Sequence, residues 1–95
     1  MKNKHTLDLI LKYQWFDMIH SGIKKEEYRE IKEFYASRLE NKSYTYVRFH
    51  RGYSNKTILI ECKGIEKGIG NPEWGAPDFE VYKIKLGNII EDNTD

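Results

Sequence analysis

Cysteine, proline and long apolar runs are scarce in this sequence. Cys62 is its single cysteine among 95 residues, so the chain forms no intramolecular disulfide and no cysteine-rich zinc cluster. No stretch approaches the ~20 apolar residues of a membrane span, and the basic start at residues 1–4 is not followed by the apolar stretch of a signal peptide. These absences predict a cytoplasmic protein without a membrane partner.

An excess of charge of one sign is also missing. Lys and Arg total 16, Asp and Glu total 15, and the net charge is +1. This balance excludes a protein that coats nucleic acid by bulk charge, so any site for a polyanion must be local. The length favours a single domain over residues 1–95, with a polar tail at 91–95 that is predicted to fray, and we expect a monomer.

Two periodicities divide the chain into strands and helices. Apolar residues at every second position, such as Leu7, Leu9 and Leu11, predict strands, and spacings of three or four residues predict helices. The predicted strands cover residues 5–13, 46–50, 57–62 and 79–90, and the predicted helices cover residues 14–21 and 31–39.

Four or five strands with two early helices predict an α+β fold that is mainly β. We expect a small, partly open antiparallel barrel with the two short helices near one end. A parallel β–α–β layout is disfavoured because the later strands follow one another without intervening helices.

The charged segment after the first helix holds the most informative pattern. Gly22, Lys24, Glu27 and Arg29 stand in the arrangement G-x-K-x-x-E-x-R. Gly22 allows the chain to turn, and Glu27 and Arg29 share the parity of a strand, so their side chains point to one side. A carboxylate beside two cations stays ionised and holds both in place, which leaves donors for a phosphate or carboxylate ligand.

The same segment has two other interpretations. A desolvated Lys24 could act as a nucleophile or general base, with Glu27 moving protons. Alternatively, the segment is a solvated helix whose Glu and Lys side chains pair at i,i+3 or i,i+4, for about 0.2–0.5 kcal/mol per pair.

The motif and the order of elements around it resemble the signature of the ASCH domain family, a branch of the PUA-like fold. That order is a strand, the helix with Trp15 and Phe16, the motif and a β-rich remainder, so the resemblance covers almost the whole chain. It implies a cleft between helices and barrel that is associated with RNA or modified-nucleoside ligands. Members of the family include RNA-binding modules, an amidohydrolase acting on N4-acetylcytidine, and a ribonuclease.

The amidohydrolase members imply a catalytic set of a lysine, a threonine and a later glutamate. Lys24 matches the lysine, whereas Glu27 stands in place of the threonine. Glu61, Glu66 and Glu73 are the candidates for the later glutamate. The departure at Glu27 weakens the case for deacylation in particular.

A second cluster lies in the predicted strand 46–50, where aromatic and basic residues alternate. Tyr46, Arg48 and His50 share one face, and Arg51 sits at the following turn. Aromatic side chains interleaved with arginine are typical of surfaces that stack bases and bind phosphates. Alternatively, the tyrosines cover the barrel, and Arg48 pairs with Glu61 across strands.

These observations predict a small module that binds RNA or a nucleotide in its cleft, with a hydrolase or a protein-binding surface as the alternatives. Trp74, in the loop 71–77, either plugs the barrel end or stacks on the ligand. The residues predicted to contact the ligand are Lys24, Glu27, Arg29, Tyr46, Arg48, Arg51 and Trp74, and in an enzyme Lys24 and Glu27 would be catalytic. His5 and His20 lie too far apart to suggest a metal, so no metal or cofactor is predicted.

Overall fold

The structure, a computed structural model, describes residues 5–95; the basic start at residues 1–4 lies outside the described residues. The described residues form five strands and two α-helices. In chain order the elements are β1 (Thr6–Leu11), α1 (Tyr13–His20), β2 (Glu26–Glu30), α2 (Glu33–Leu39), β3 (Tyr46–Arg51), β4 (Thr57–Gly68), a short 3-10 helix (Pro72–Trp74) and β5 (Val81–Asn93). The α+β, mainly β prediction is confirmed, as is the partly open barrel. No helix in residues 5–95 has the length and apolar character needed to cross a membrane.

The five strands form one curved, mixed sheet in the order β1-β3-β4-β5-β2. Three of its four pairings are antiparallel, but β1 runs parallel to β3, with Leu7 opposite Val47 and Leu9 opposite Phe49. The antiparallel pairing predicted for the barrel therefore holds for three strand pairs and not for β1 with β3. A parallel pair needs a crossover of a dozen or more residues, and here α1, β2 and α2 together supply it.

The core lies on the concave side of this sheet, against the buried face of α1. Alternating side chains of β1, β3 and β5 point inward, and β4 at the centre of the sheet is buried on both faces over Ile58, Leu59 and Ile60. The inward side chains are Leu7, Leu9, Leu11, Phe16, Ile19, Leu39, Val47, Phe49, Ile58, Ile60, Tyr82, Ile84 and Leu86. Because α1 begins directly after β1, its first turn is fixed at one end of this core.

The last two strands are longer than the sequence predicted. β4 continues past Cys62 through Gly64, which has φ 135°, and its register with β5 shifts around these two residues. β5 continues to Asn93, which lies opposite Thr57. The predicted frayed tail at 91–95 is wrong for residues 91–93, because these residues complete the pairing with β4 and Asp92 bonds to His20 at the end of α1.

Candidate functional site

The barrel is open between β1 and β2, the two edge strands of the sheet. The side chain of Arg29 in β2 crosses this gap, and its Nη2 donates a hydrogen bond to the carbonyl of Ile10 in β1, at 3.2 Å. The charged motif segment forms β2, so Glu27 and Arg29 do follow strand parity, and both point into the gap. The motif thus lies along one wall of a cleft at the open side of the barrel.

The structure brings Lys24, Glu27 and Arg29 into direct contact. The Glu27 carboxylate lies between the two cations, with Oε1 3.4 Å from Lys24 Nζ and Oε2 2.9 Å from Arg29 Nη2. Arg29 Nε also donates to Oε2, at 3.0 Å. Lys24 is only 2% exposed and Glu27 7%. The interpretation as a solvated charged helix is therefore wrong for these residues.

Lys24 is enclosed by aromatic rings and by the loop that follows β4. Its Nζ donates to the carbonyl of Trp74 at 2.5 Å, and it lies 4.7 Å from the ring centre of Tyr28 and 5.3 Å from that of Trp15. Burial lowers the pKa of Lys24 below its ordinary value, and the neighbouring Glu27 carboxylate opposes this change only in part. The protein therefore carries a desolvated lysine at the back of the cleft.

Arg29 is oriented by three hydrogen bonds. Besides its bonds to Glu27 and Ile10, it donates through Nη1 to the hydroxyl of Tyr35, at 3.1 Å. A guanidinium has five N–H donors, so donors remain for a further acceptor. Because a carboxylate, a carbonyl and a hydroxyl all fix the guanidinium plane, Arg29 is preorganised for such a ligand.

Three cavities adjoin this charged trio; one of about 220 Å³ meets it only at Lys24, and the other two are lined by Glu27. The larger of these two, about 340 Å³, lies in the gap between the edge strands and is lined by Ile10, Leu11, Lys12, Trp15, Glu27, Tyr28, Arg29, Glu30, Lys32 and Tyr35. The smaller, about 80 Å³, is lined by Trp15, Lys24, Glu27, Tyr28, Trp74 and Gly75. Glu27 lines both cavities, whereas Lys24 reaches only the smaller of these two. The prediction that the motif residues line a concave site therefore agrees with their positions.

The second predicted cluster lies elsewhere on the molecule. Tyr46 and Arg48 alternate with the buried Val47 and Phe49, so they lie on the convex face of the sheet, away from the cleft. Arg48 lies opposite Leu59 rather than Glu61, and the expected Arg48–Glu61 ion pair is not formed. This face does not contribute to the site around Lys24.

The histidine and the second arginine of that cluster are already paired. His50 Nε2 lies 2.9 Å from the carboxylate of Asp8. Arg51 forms two hydrogen bonds to Asp17, at 2.8 and 2.9 Å, and lies over the ring of Tyr13. Tyr13 and Asp17 are one turn apart on α1, on the side opposite Trp15. Arg51 is therefore separated from the cleft by the helix.

Trp74 meets the site through its backbone carbonyl, which the sequence could not indicate. Trp74 is half-buried and lines the small cavity. Whether its ring plugs the barrel end or stacks on a ligand stays a prediction. The candidates for a later catalytic glutamate are placed differently: Glu61 accepts from the backbone of Asn88, Glu66 pairs with Lys85 at 3.3 Å, and Glu73 is exposed. The carboxylate beside Lys24 is that of Glu27.

Sequence reasoning missed several residues of the cleft. The sequence did not single out Lys12, Tyr28, Lys32 and Tyr35 as site residues, and Trp15, which packs against the core, also lines the cleft. One signal was available for Tyr28 and Lys32, because they flank the motif residues in the same strand and its following turn. Nothing in the sequence indicated that the end of β1 and α2 would complete the opposite wall.

Within residues 5–95, no group of three or more His, Cys, Asp or Glu side chains is arranged to hold a metal ion. Compared with protein-family models, with curated proteins and with solved structures, the chain matches none. The resemblance to the ASCH family therefore rests on the four motif positions and on the order of elements around them.

Proposed function

We propose that the cleft between β1 and β2 binds RNA by holding one nucleotide of the strand. The single observation that carries this proposal is the buried trio of Lys24, Glu27 and Arg29 at a concave opening of about 340 Å³. Cavities of roughly 300–1,000 Å³ are typical of small-ligand sites. A charged network that is desolvated in this way costs free energy, and perturbed, partly buried charges in a cleft are typical of functional sites.

The charges of the cleft favour a ligand with anionic oxygens. The larger cavity is lined by the cations Lys12, Arg29 and Lys32 and by the carboxylates of Glu27 and Glu30, with the ammonium of Lys24 directly behind. Lys32 is exposed and pairs with Glu30 at 3.4 Å, an arrangement that a phosphate can readily replace. The cleft therefore offers a local excess of positive charge in a chain of almost balanced charge.

The aromatic side chains of the cleft supply surfaces for a base. Trp15, Tyr28 and Tyr35 all line the larger cavity. Stacking of a base on such a ring contributes about 1–3 kcal/mol and tolerates any base identity. With cations at its rim and rings along its wall, the cleft offers the two kinds of contact that single-stranded RNA sites use.

RNA binding is expected to weaken as salt rises, with a slope that reports the phosphate contacts. Each contact to a single strand contributes about −0.7 to the slope of log K against log salt. Lys32→Ala is expected to reduce the slope by that amount and the affinity several-fold, measured by fluorescence anisotropy with a short single-stranded RNA. Lys63→Ala, an exposed lysine of β4, is the matched control and should leave both unchanged. Binding that ignores salt, or equal losses in the two variants, would contradict the proposal.

A second candidate function, hydrolysis, is favoured by the lowered pKa of Lys24 beside Glu27. A lysine acts as a general base in its unprotonated form, and burial shifts the pKa of Lys24 in the direction that favours this form. For an N-acylated nucleoside, Lys24 would accept a proton from the attacking water as the new C–O bond forms. It would return that proton to the nucleoside nitrogen as the C–N bond breaks, which yields a free carboxylic acid and an amine.

Turnover separates this candidate from simple binding. If the protein is a hydrolase, the wild type is expected to form product from N4-acetylcytidine or from short RNA, and Lys24→Ala is expected to form none. Chromatography of the nucleosides and RNA fragments measures the product. Equal product from both proteins would assign the activity to a contaminant or to other residues.

A further inference from the structure

The segment that covers Lys24 is built as a self-contained unit. This strap, defined as residues 70–76, connects β4 to β5 and carries the short 3-10 helix. Its internal hydrogen bonds run from Trp74 N to Asn71 O, from Gly75 N to Pro72 O and from Glu73 N to the side chain of Asn71. Because these bonds close within the strap, it can move as one piece without losing them.

Two hydrogen bonds tie the strap to the body of the protein. The amide of Asn71 donates to the hydroxyl of Tyr28 at 3.0 Å, and Lys24 donates to the carbonyl of Trp74. Two of its glycines also lie close to aromatic rings: a Cβ at Gly75 would lie 2.9 Å from the indole of Trp15, and one at Gly70 would lie 2.5 Å from the ring of Tyr28. The strap therefore fits tightly on two aromatic rings but has few polar attachments.

The closed strap hides the cation that the proposed function requires. With the strap in place, the Lys24 side chain is 1% exposed, and its shortest hydrogen bond goes to a neutral carbonyl. The bond to the carbonyl already has a charged donor, but an anionic oxygen adds an attraction between two full charges that a carbonyl dipole lacks. A ligand can shift a conformational equilibrium only by its differential affinity for the two forms, and an anionic oxygen on Lys24 provides such a difference.

We propose that the strap is a displaceable cover, and that an anionic oxygen of the bound nucleotide replaces the Trp74 carbonyl as the acceptor of Lys24. The second half rests on the proposed RNA-binding function, whereas the opening of the strap does not. Lifting the strap also opens the cavity of about 80 Å³, which joins Lys24 to Glu27. A closed majority form lowers the apparent affinity by the fraction of open molecules, so loosening the strap raises affinity.

The opening is tested without any ligand, by the rate at which an amine-reactive acetylating reagent modifies Lys24, mapped by mass spectrometry. Tyr28→Phe keeps the ring but removes the hydroxyl that accepts from Asn71 and donates to Glu26; the lost bond to the strap is worth about 1 kcal/mol. We expect Lys24 to react about fivefold faster, the same free energy expressed as a ratio. Tyr44→Phe, which removes a hydroxyl bonded to the carbonyl of Arg38, is the matched control and should leave the rate unchanged.

A second variant keeps the test valid if the first one unfolds. Gly75→Ala places a methyl group against Trp15 and should also accelerate the labelling of Lys24. The thiol of Cys62, half-buried in β4, reports global unfolding. Faster labelling of Lys24 with unchanged Cys62 reactivity supports the cover, whereas an unchanged Lys24 rate in both folded variants overturns it.

The replacement step is tested with a short single-stranded RNA. We expect this RNA to bind more tightly to Tyr28→Phe than to the wild type and to slow the labelling of Lys24 in both. Equal affinity for the two proteins, or no protection of Lys24, overturns the replacement. If the RNA does not bind at all, the proposed function and the replacement both fail, while the labelling rates still decide whether the strap opens.

Discussion

Replacing Glu27 with glutamine is expected to lower the free energy of unfolding by about 3–5 kcal/mol, the range for removing one partner from a buried ion pair. Glutamine has nearly the same shape but no charge, so Lys24 and Arg29 would keep their positions without the carboxylate between them. The charge of the trio would rise from one to two positive charges. The measurement is urea denaturation followed by tryptophan fluorescence.

The matched control for this variant is Glu30→Gln, three residues along the same strand. The Glu30 side chain is 60% exposed, and its pair with Lys32 is exposed too, so its loss should change stability by less than about 0.5 kcal/mol. Adding Lys24→Met to Glu27→Gln should restore part of the lost stability, because one of the two unpaired cations disappears. Similar stability of Glu27→Gln and Glu30→Gln would mean that water already solvates the trio.

The sequence predicts the elements with a strong local signal. The apolar spacing around Trp15 places the first helix within one residue of α1, and the run from Thr57 marks the start of the central strand. Strand parity correctly places Glu27 and Arg29 on one side of β2. These successes share a cause: periodicity depends on the backbone geometry of a few consecutive residues.

The sequence does not predict contacts that depend on the curvature of the sheet. Parity correctly puts Tyr46, Arg48 and His50 on one face, but it cannot say that this face is convex and points away from the cleft. The parallel pairing of β1 with β3 depends in the same way on where the chain returns after α2. Which residues share one face of a strand is a local property, whereas strand pairing, register and the meeting of two edges are properties of the whole sheet.

The trio illustrates both cases. Its mutual contacts follow from spacing, because a lysine three residues before a strand glutamate can fold back onto it. Its burial does not, since the rings of Trp15 and Tyr28 and the carbonyl of Trp74 arrive from α1, from β2 itself and from the strap. Burial is nevertheless what turns an ordinary group of surface charges into a candidate site.

The charges left unpaired after each substitution distinguish a functional from a structural role for Lys24. Whereas removal of Glu27 leaves two unpaired cations, removal of Lys24 leaves Glu27 paired with Arg29 through contacts of 2.9 and 3.0 Å. Burial already penalises the charged form of Lys24, as its lowered pKa indicates. A methionine of similar length would avoid this penalty and lose the bond to Trp74, so the two changes oppose each other.

Lys24→Met is therefore expected to change the free energy of unfolding by less than about 2 kcal/mol while weakening RNA binding about tenfold or more. Opposing desolvation and pairing energies account for the small effect on stability. The large effect on affinity follows because a hydrogen bond to a charged group is worth about 1.5–3 kcal/mol. Urea denaturation and fluorescence anisotropy on the same preparations measure the two quantities, with the exposed Lys25→Met as the control. If Lys24→Met instead loses as much stability as Glu27→Gln and binds RNA normally, the lysine is a structural partner of Glu27 and the ligand contacts lie elsewhere.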